Sequence, residues 1–351
     1  MQTNSPRTIL SLGTALALSL AMTGVTPAQS TYDDFGGNSI DSTRWTLFGE
    51  MGRASQSGGF LLLRGAGSKR DIDLLAVDAL RGDFEIILDF ERFRARSTAN
   101  EPGLSLTAVD AITDPNQGGV VSIAIEATAR GHSFFGCAEL GGRSLGEASV
   151  PTRASAGKLR LTRAAGKISV SAQEKGNNTW ITLRTWTDFF KTNTVRFLVS
   201  SLAGTADAAD VSCDKIWIRG KRISGSPAYG KRCANLGFAP TNLPKIGTTL
   251  GLLTAGDGSF ARAGFAIILG ERPLAIDLTG AGAPGCFLHT PLTILLVGGA
   301  LDAEGLGILA LPIPASNALV GARFYTQAVA TTAKNSMGLA WSVGATSGLT
   351  R

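Results

Sequence analysis

The stretch Gly82-Asp83-Phe84-Glu85-Ile86-Ile87-Leu88-Asp89-Phe90-Glu91-Arg92-Phe93 decides the fold class. Phe84, Ile86, Leu88 and Phe90 fall at even positions, and Glu85, Asp89 and Glu91 at odd ones. A period of two belongs to a strand with one face in a core and one toward water. Shorter runs of the same kind fill residues 29 to about 220. They include Phe60 to Leu63, Val120 to Ala127, Lys158 to Thr162, Lys167 to Ala172, Trp180 to Trp186, Thr194 to Ser200 and Lys215 to Ile218. Clusters of Gly, Ser, Asn and Asp separate them. No apolar stripe recurs every 3.6 residues over ten or more positions, so the spacing predicts an all-β chain.

Composition fits. Glycine supplies 44 of 351 residues, against about 7% in average proteins, as turn residues between many short strands would require. Apolar residues make up 44% of the chain, too many for a disordered one. Two His leave little room for a His-rich metal site, and neither His132 nor His289 lies near a Gly-x-Ser-x-Gly elbow. No C-x-x-C spacing indicates zinc. The net charge of +6 comes from scattered Lys and Arg. The densest cluster is Arg92, Arg94 and Arg96, and no basic run interleaves with aromatics, so a nucleic-acid partner is not expected.

Residues 1–28 read as a signal peptide. Arg7 precedes an uncharged Leu/Ala-rich run from Ile9 to Val25, and Thr26-Pro27-Ala28 offers small residues for cleavage after Ala28. No later apolar run approaches the ~20 residues of a membrane-spanning helix. The expected product is secreted or cell-surface associated. Residues 29–220 form the first expected domain. Arg219 to Cys233 is basic and Gly/Ser/Pro-containing, which places a linker at 221–232. Residues 233–351 carry a second set of about seven short strands, a smaller β-sandwich in which Pro312 and Pro314 mark an edge or bend. Export permits disulfides, and the pairing of four Cys that respects this boundary is Cys137 with Cys213 and Cys233 with Cys286.

Particular residues of the first domain resemble the concanavalin A-like lectin/glucanase jelly rolls, including laminin-G-like forms. They are Asp33-Asp34-Phe35-Gly36-Gly37-Asn38-Ser39-Ile40-Asp41 with Trp45, then Gly82 to Ile86, Gly157 to Arg163, Trp180, and Cys213 to Ile218. The second domain resembles the β-rich C-terminal region of secreted planctomycete-type bacterial proteins. That resemblance rests on Leu274 to Leu278, Gly282 to Cys286, Leu311 to Pro314 and Leu319 to Gln327. The first resemblance implies a two-sheet antiparallel sandwich with sugars on a concave face. It also implies a structural Ca²⁺, for which Asp33, Asp34 and Asp214 are the matching positions. The glucanases of that superfamily carry Glu-x-Asp-x-x-Glu, or one x fewer before the last Glu. Here three residues separate Glu85 from Asp89 and one separates Asp89 from Glu91.

The expected function is therefore non-catalytic binding of an extracellular polysaccharide or cell-envelope glycan. Arg184, Trp186 and Trp217 are the candidate site, with Asp214 nearby. Trp180 and Trp186 are expected to share a strand face, and Trp45 to pack inward. Two alternatives stand beside it: a glycoside hydrolase using Glu85 and Glu91, with Asp89, and a structural envelope component without a soluble ligand.

Overall fold

The computed structural model describes residues 28–49, 54–64, 72–95, 102–112, 117–202, 209–231 and 233–351. The expected signal peptide, through residue 27, and Arg96 lie outside them. Among the described residues no α-helix forms, and no helix is long and apolar enough to cross a membrane.

Fifteen strands build the first unit. They are β1 (Ser30–Asp33), β2 (Trp45–Gly49), β3 (Ala54–Ser57), β4 (Phe60–Arg64), β5 (Ile72–Ala76), β6 (Ala79–Ala95), β7 (Gly103–Asp110), β8 (Gly119–Thr128), β9 (Gly131–Leu140), β10 (Arg143–Thr152), β11 (Gly157–Ala164), β12 (Lys167–Glu174), β13 (Ile181–Thr187), β14 (Thr194–Leu202) and β15 (Ala209–Ile223). All pairings between them are antiparallel, and they make two layers. One runs β10-β9-β8-β7-β14-β5-β2. The other runs β13-β12-β11-β6-β15, with β1 and β4 on the far edge of β15 and β3 beyond β4. The layers join where the start of β6, at Leu80 and Arg81, pairs with Val195 and Thr194. Side chains facing inward from both layers form one core, with Trp45, Phe90, Phe93, Phe134 and Phe197 among its fully buried aromatics. This is the all-β sandwich that the spacing called for, of the jelly-roll type that the resemblance implied.

The expected Asp83–Phe93 strand is the middle of β6, which extends to Ala79 and Ala95. Phe84, Ile86, Leu88 and Phe90 are buried, as the period of two requires. The expected linker is shorter at its start. β15 continues through Lys221, Arg222 and Ile223, paired with Arg81, Leu80 and Ala79. The step is absorbed at Gly220, a bulge position with φ +144°, where a Cβ would lie 3.1 Å from Asp83 O.

Ten strands make the second unit. These are β16 (Ala228–Tyr229), β17 (Gly237–Pro240), β18 (Thr249–Ala255), β19 (Gly264–Gly270), β20 (Ile276–Asp277), β21 (Phe287–Leu288), β22 (Ile294–Ala300), β23 (Leu306–Pro312), β24 (Arg323–Thr331) and β25 (Leu339–Gly348). A sheet in the order β16-β25-β24-β19-β22 faces a sheet β17-β18-β23 across a separate core that includes Phe238, Phe260, Phe265 and Trp341. Pro312 closes β23 on a sheet edge, as proline's missing donor demands.

Cys233 and Cys286 form a disulfide with a Cα–Cα distance of 4.9 Å. The expected Cys137–Cys213 bond does not form. Cys213 points into the core from β15, whereas Cys137 alternates with buried Phe134 and Ala138 on β9 and so faces out of the opposite layer.

The outer face of the β14 layer is where the units meet. Phe48, Leu75 and Leu198 pack against Ala239, Leu253 and Ala255 of β17 and β18. Fully buried Arg196 donates from Nε and Nη2 to Ala76 O, at 3.1 and 2.6 Å, and from Nη1 to Pro240 O across the junction. Burial pulls its pKa down to about 10, which leaves it charged at neutral pH and held by carbonyl dipoles.

Candidate functional site

Among the described residues, the outer face of the β6 layer has no such cover, and it carries the polar residues of the decisive strand. Odd positions of β6 project there. β11 contributes Lys158 opposite Asp89, Arg160 opposite Ile87 and Thr162 opposite Glu85. On the other side β15 places Lys215, Trp217 and Arg219 opposite the same three residues. Three carboxylates of the strand each have a cation. Glu85 lies 3.8 Å from Arg160 and 3.5 Å from Arg219, Asp89 lies 3.3 Å from Lys158, and Glu91 lies 2.5 Å from Lys175.

Two tryptophans stand on this face. Arg160 sits 4.0 Å from the Trp180 ring centroid and Lys215 Nζ 4.9 Å from that of Trp217. A guanidinium or ammonium over an indole is attracted by the ring quadrupole, so both rings are held in place. Between them lies a cleft of about 290 Å³ lined by Gln29, Ile87, Lys158, Gln173, Trp180 and Trp217. A second cleft of about 250 Å³ lies further along β6, where Asp83, Glu85, Thr162, Arg163, Arg219 and Gly220 meet. Burial raises the pKa of Asp89 above the ordinary carboxylate value, against the opposing charge of Lys158 and contacts from Lys158 and Trp217. Burial likewise lowers that of Arg160.

The three candidate acids do share one face. Glu85 and Glu91, however, are six residues apart on a continuous strand, which at ~3.4 Å per residue separates them by roughly 20 Å. A retaining pair of carboxyl groups needs about 5 Å and an inverting pair at most about 9.5 Å. Glu85 and Glu91 therefore cannot act together on one glycosidic bond.

Arg184 and Trp186 do not join Trp217. The β12–β13 register shifts between Val170 and Ser171, so Thr182 pairs with Ser171 while Arg184 pairs with Val170. One extra residue in β13 reverses the faces. Trp180 precedes the bulge and turns outward. Trp186 follows it, is buried opposite Ile168, and donates its indole N–H to Leu145 O at 3.2 Å. Arg184 donates to Glu147 O at 2.8 Å, its guanidinium lying where a Cβ on Gly146 would be 2.7 Å from Nη2. Both residues tie β13 to β10. Trp180, Lys158, Gln173 and Gln29 replace them at the cleft. The signal for Lys158 and Arg160 is the alternation in Lys158-Leu159-Arg160-Leu161. No local signal marks the bulge that exposes Trp180.

The calcium set is not assembled either. Asp33 is buried, and its Oδ1 accepts from Phe35 N at 2.9 Å while Oδ2 accepts from Trp45 Nε1 at 2.7 Å. It fixes the opening turn, where Phe35 has φ 50°, and pins Trp45 inward. Asp34 accepts from Gly36 N at 3.2 Å. Asp214 occupies a bulge in β15. Among the described residues no three His, Cys, Asp or Glu side chains converge to hold a metal ion. With both Asp33 oxygens engaged, this set does not fit a calcium ion. His132 bonds Ala154 O through Nδ1 at 2.9 Å, and His289 is buried against the Lys231 backbone.

A family description, "Protein of unknown function (DUF1583) C domain", matches residues 13–244. No curated protein matches the sequence. Among solved structures, the chain is similar to metal-free lectin I-B4 from Griffonia simplicifolia, with 12% identity, TM-score 0.41, and coverage of 56% of this chain and 99% of that one. It is similar to a functionally unknown protein from Saccharomyces cerevisiae, with 10% identity, TM-score 0.38, and coverage of 52% and 97%. A third is the legume lectin-like domain from Entamoeba histolytica, with 8% identity, TM-score 0.41, and coverage of 51% and 90%.

Proposed function

The chain belongs to the family of DUF1583 C domains, a membership that assigns no chemistry, and we propose from its geometry that it binds glycans without cleaving them. The observation that carries this reading is the placement of Trp180 and Trp217 on one cleft floored by Ile87, with Lys158, Gln173 and Gln29 at the rim. Indole faces stack on the C–H faces of sugar rings, and a polar rim supplies hydrogen bonds to hydroxyls. The apolar, small-residue run after Arg7 supports export, which brings this face to extracellular or envelope polysaccharide. The first unit, residues 29–220, is then the binding domain and residues 233–351 an accessory one.

The test is pulldown on a panel of insoluble and immobilised polysaccharides. Wild-type protein is expected to be retained on at least one, and Trp180→Ala and Trp217→Ala to be released from it. Failure of the wild type to bind any member would overturn the reading.

One feature of the second unit favours the envelope-component alternative. Leu292, just before edge strand β22, and Ile294 and Leu295 within it are 65%, 49% and 57% exposed, and Leu306 on edge strand β23 is 42% exposed. Apolar edges of this kind seek a covering surface. Co-fractionation of the chain with the cell envelope in the absence of any polysaccharide affinity would select that alternative.

A further inference from the structure

The two clefts of the β6 face lie in line. The first is floored by Ile87 and the second reaches from Glu85 to Asp83, so the floor runs about 13 Å along one strand at ~3.4 Å per residue. That span exceeds a single sugar ring. At the step between the clefts, one carboxylate serves two guanidiniums: Glu85 is within 3.8 Å of Arg160 and 3.5 Å of Arg219. The cluster carries one positive charge in excess. Arg160 Nε and Arg219 Nε are both buried without a hydrogen-bond partner, so Glu85 does not satisfy the two forks. The Arg219 side chain is 40% exposed and open to a ligand from the second cleft.

The geometry points to a linear, uronic-acid-bearing polysaccharide as the ligand of this face. This rests on the sugar-binding reading above and goes beyond it in naming the class. Sugar rings stack at Trp180 and Trp217, the chain follows β6, and a ring carboxylate meets the Arg160–Glu85–Arg219 cluster. There the planar guanidinium of Arg219 can take it through two parallel N–H···O bonds. Lys158 at the rim of the first cleft lies along the same line, its charge paired with Asp89 at 3.3 Å.

The experiment is isothermal titration of the full chain with two probes of equal length, a linear galacturonate hexamer and a neutral linear β-1,4-glucose hexamer. The galacturonate is expected to bind roughly tenfold tighter at low salt, the value of one added charge-assisted hydrogen-bond pair. That advantage should shrink in about 1 M salt, where the screening length falls to about 3 Å. Arg219→Gln should bring the affinity ratio toward one, and Trp217→Ala should weaken both probes. Equal affinity for the two probes at low salt would overturn the acidic class and leave sugar binding standing. Failure to bind either would overturn both. The salt titration uses wild-type protein, so the proposal stays testable should Arg219→Gln not fold.

Discussion

The two outer faces of the first sandwich are made from the same kind of antiparallel strand and are put to opposite uses. On the β14 layer, Phe48, Leu75 and Leu198 are apolar and the second unit covers them, while Arg196 spends its donors on Ala76 and Pro240 carbonyls. On the β6 layer the corresponding positions are Glu85, Asp89 and Glu91, each matched by Lys or Arg from a neighbouring strand, with two indoles between them. An antiparallel sheet face must be either covered or solvated. The chain covers one face with its own second unit and leaves the other charged, aromatic and open. On the reading proposed above, the open face meets the ligand and the covered one serves assembly.

The comparison can be broken most forcefully through the second unit. Replacing Cys233 and Cys286 by Ser removes a cross-link over a separation of 53 residues, a loss of about 4 kcal/mol by the chain-entropy estimate. Urea unfolding should show the second unit weakened and the β6 face intact. Loss of polysaccharide retention by the folded double variant would mean that the open face depends on the second unit. Phe48→Ala attacks the junction itself. Phe48 is 6% exposed, and truncating a buried Phe costs about 3 kcal/mol. Calorimetry should then resolve two transitions in place of one, whereas Trp217→Ala should cost under about 1 kcal/mol and abolish binding. If Phe48→Ala abolished binding and Trp217→Ala did not, the roles of the faces would be reversed. A smaller effect comes from Gly237→Ala, whose new Cβ would lie 2.6 Å from Phe48 Cδ1. The overpacking should cost about 2 kcal/mol, again without change in sugar affinity.

Much of this architecture was legible in the sequence because a strand's period of two is local. Phe84 to Phe90 predicted both faces of β6 correctly and Pro312 marked a sheet edge, but the alternation slips after Phe90, where the register with β15 shifts, Arg92 is exposed and Phe93 turns into the core. What was not legible depends on register. The bulge in β13 separates Trp180 from Trp186 and sends one to the cleft and the other to the core, although their even spacing puts them on one face. Cys137 and Cys213 share a unit, yet alternation on β9 and β15 points them out of one layer and into the core from the other. Asp33 matches a ligand position by resemblance, but Trp45 Nε1 and Phe35 N already occupy its oxygens. Pairwise geometry of this kind has no one-dimensional signature.

Asp89 sharpens the comparison by the smallest margin and with a definite sign. It lies on the open face, yet burial raises its pKa above the unfolded value of 3.8 and outweighs the opposing charge of Lys158. The folded state thus prefers the protonated acid. The stability this contributes is fully present below about pH 3.8 and is lost as pH rises through the folded pKa. Asp89→Asn keeps the shape and removes the ionisation. The variant should therefore be more stable than wild type at pH 7, with the two urea midpoints converging as pH falls toward 4. If Asp89→Asn were instead less stable at pH 7, the Lys158 pair would outweigh burial, and the open face would be held together by its ion pairs. On the covered face the buried charge of Arg196 spans the junction and holds two units together. Asp89 pairs with Lys158 within one face only, and on the reading proposed above its carboxylate beside the Trp217 indole meets the ligand. The same Asp89→Asn variant should accordingly gain stability and lose affinity for the retained polysaccharide, a pairing of effects that no purely structural role for Asp89 would produce.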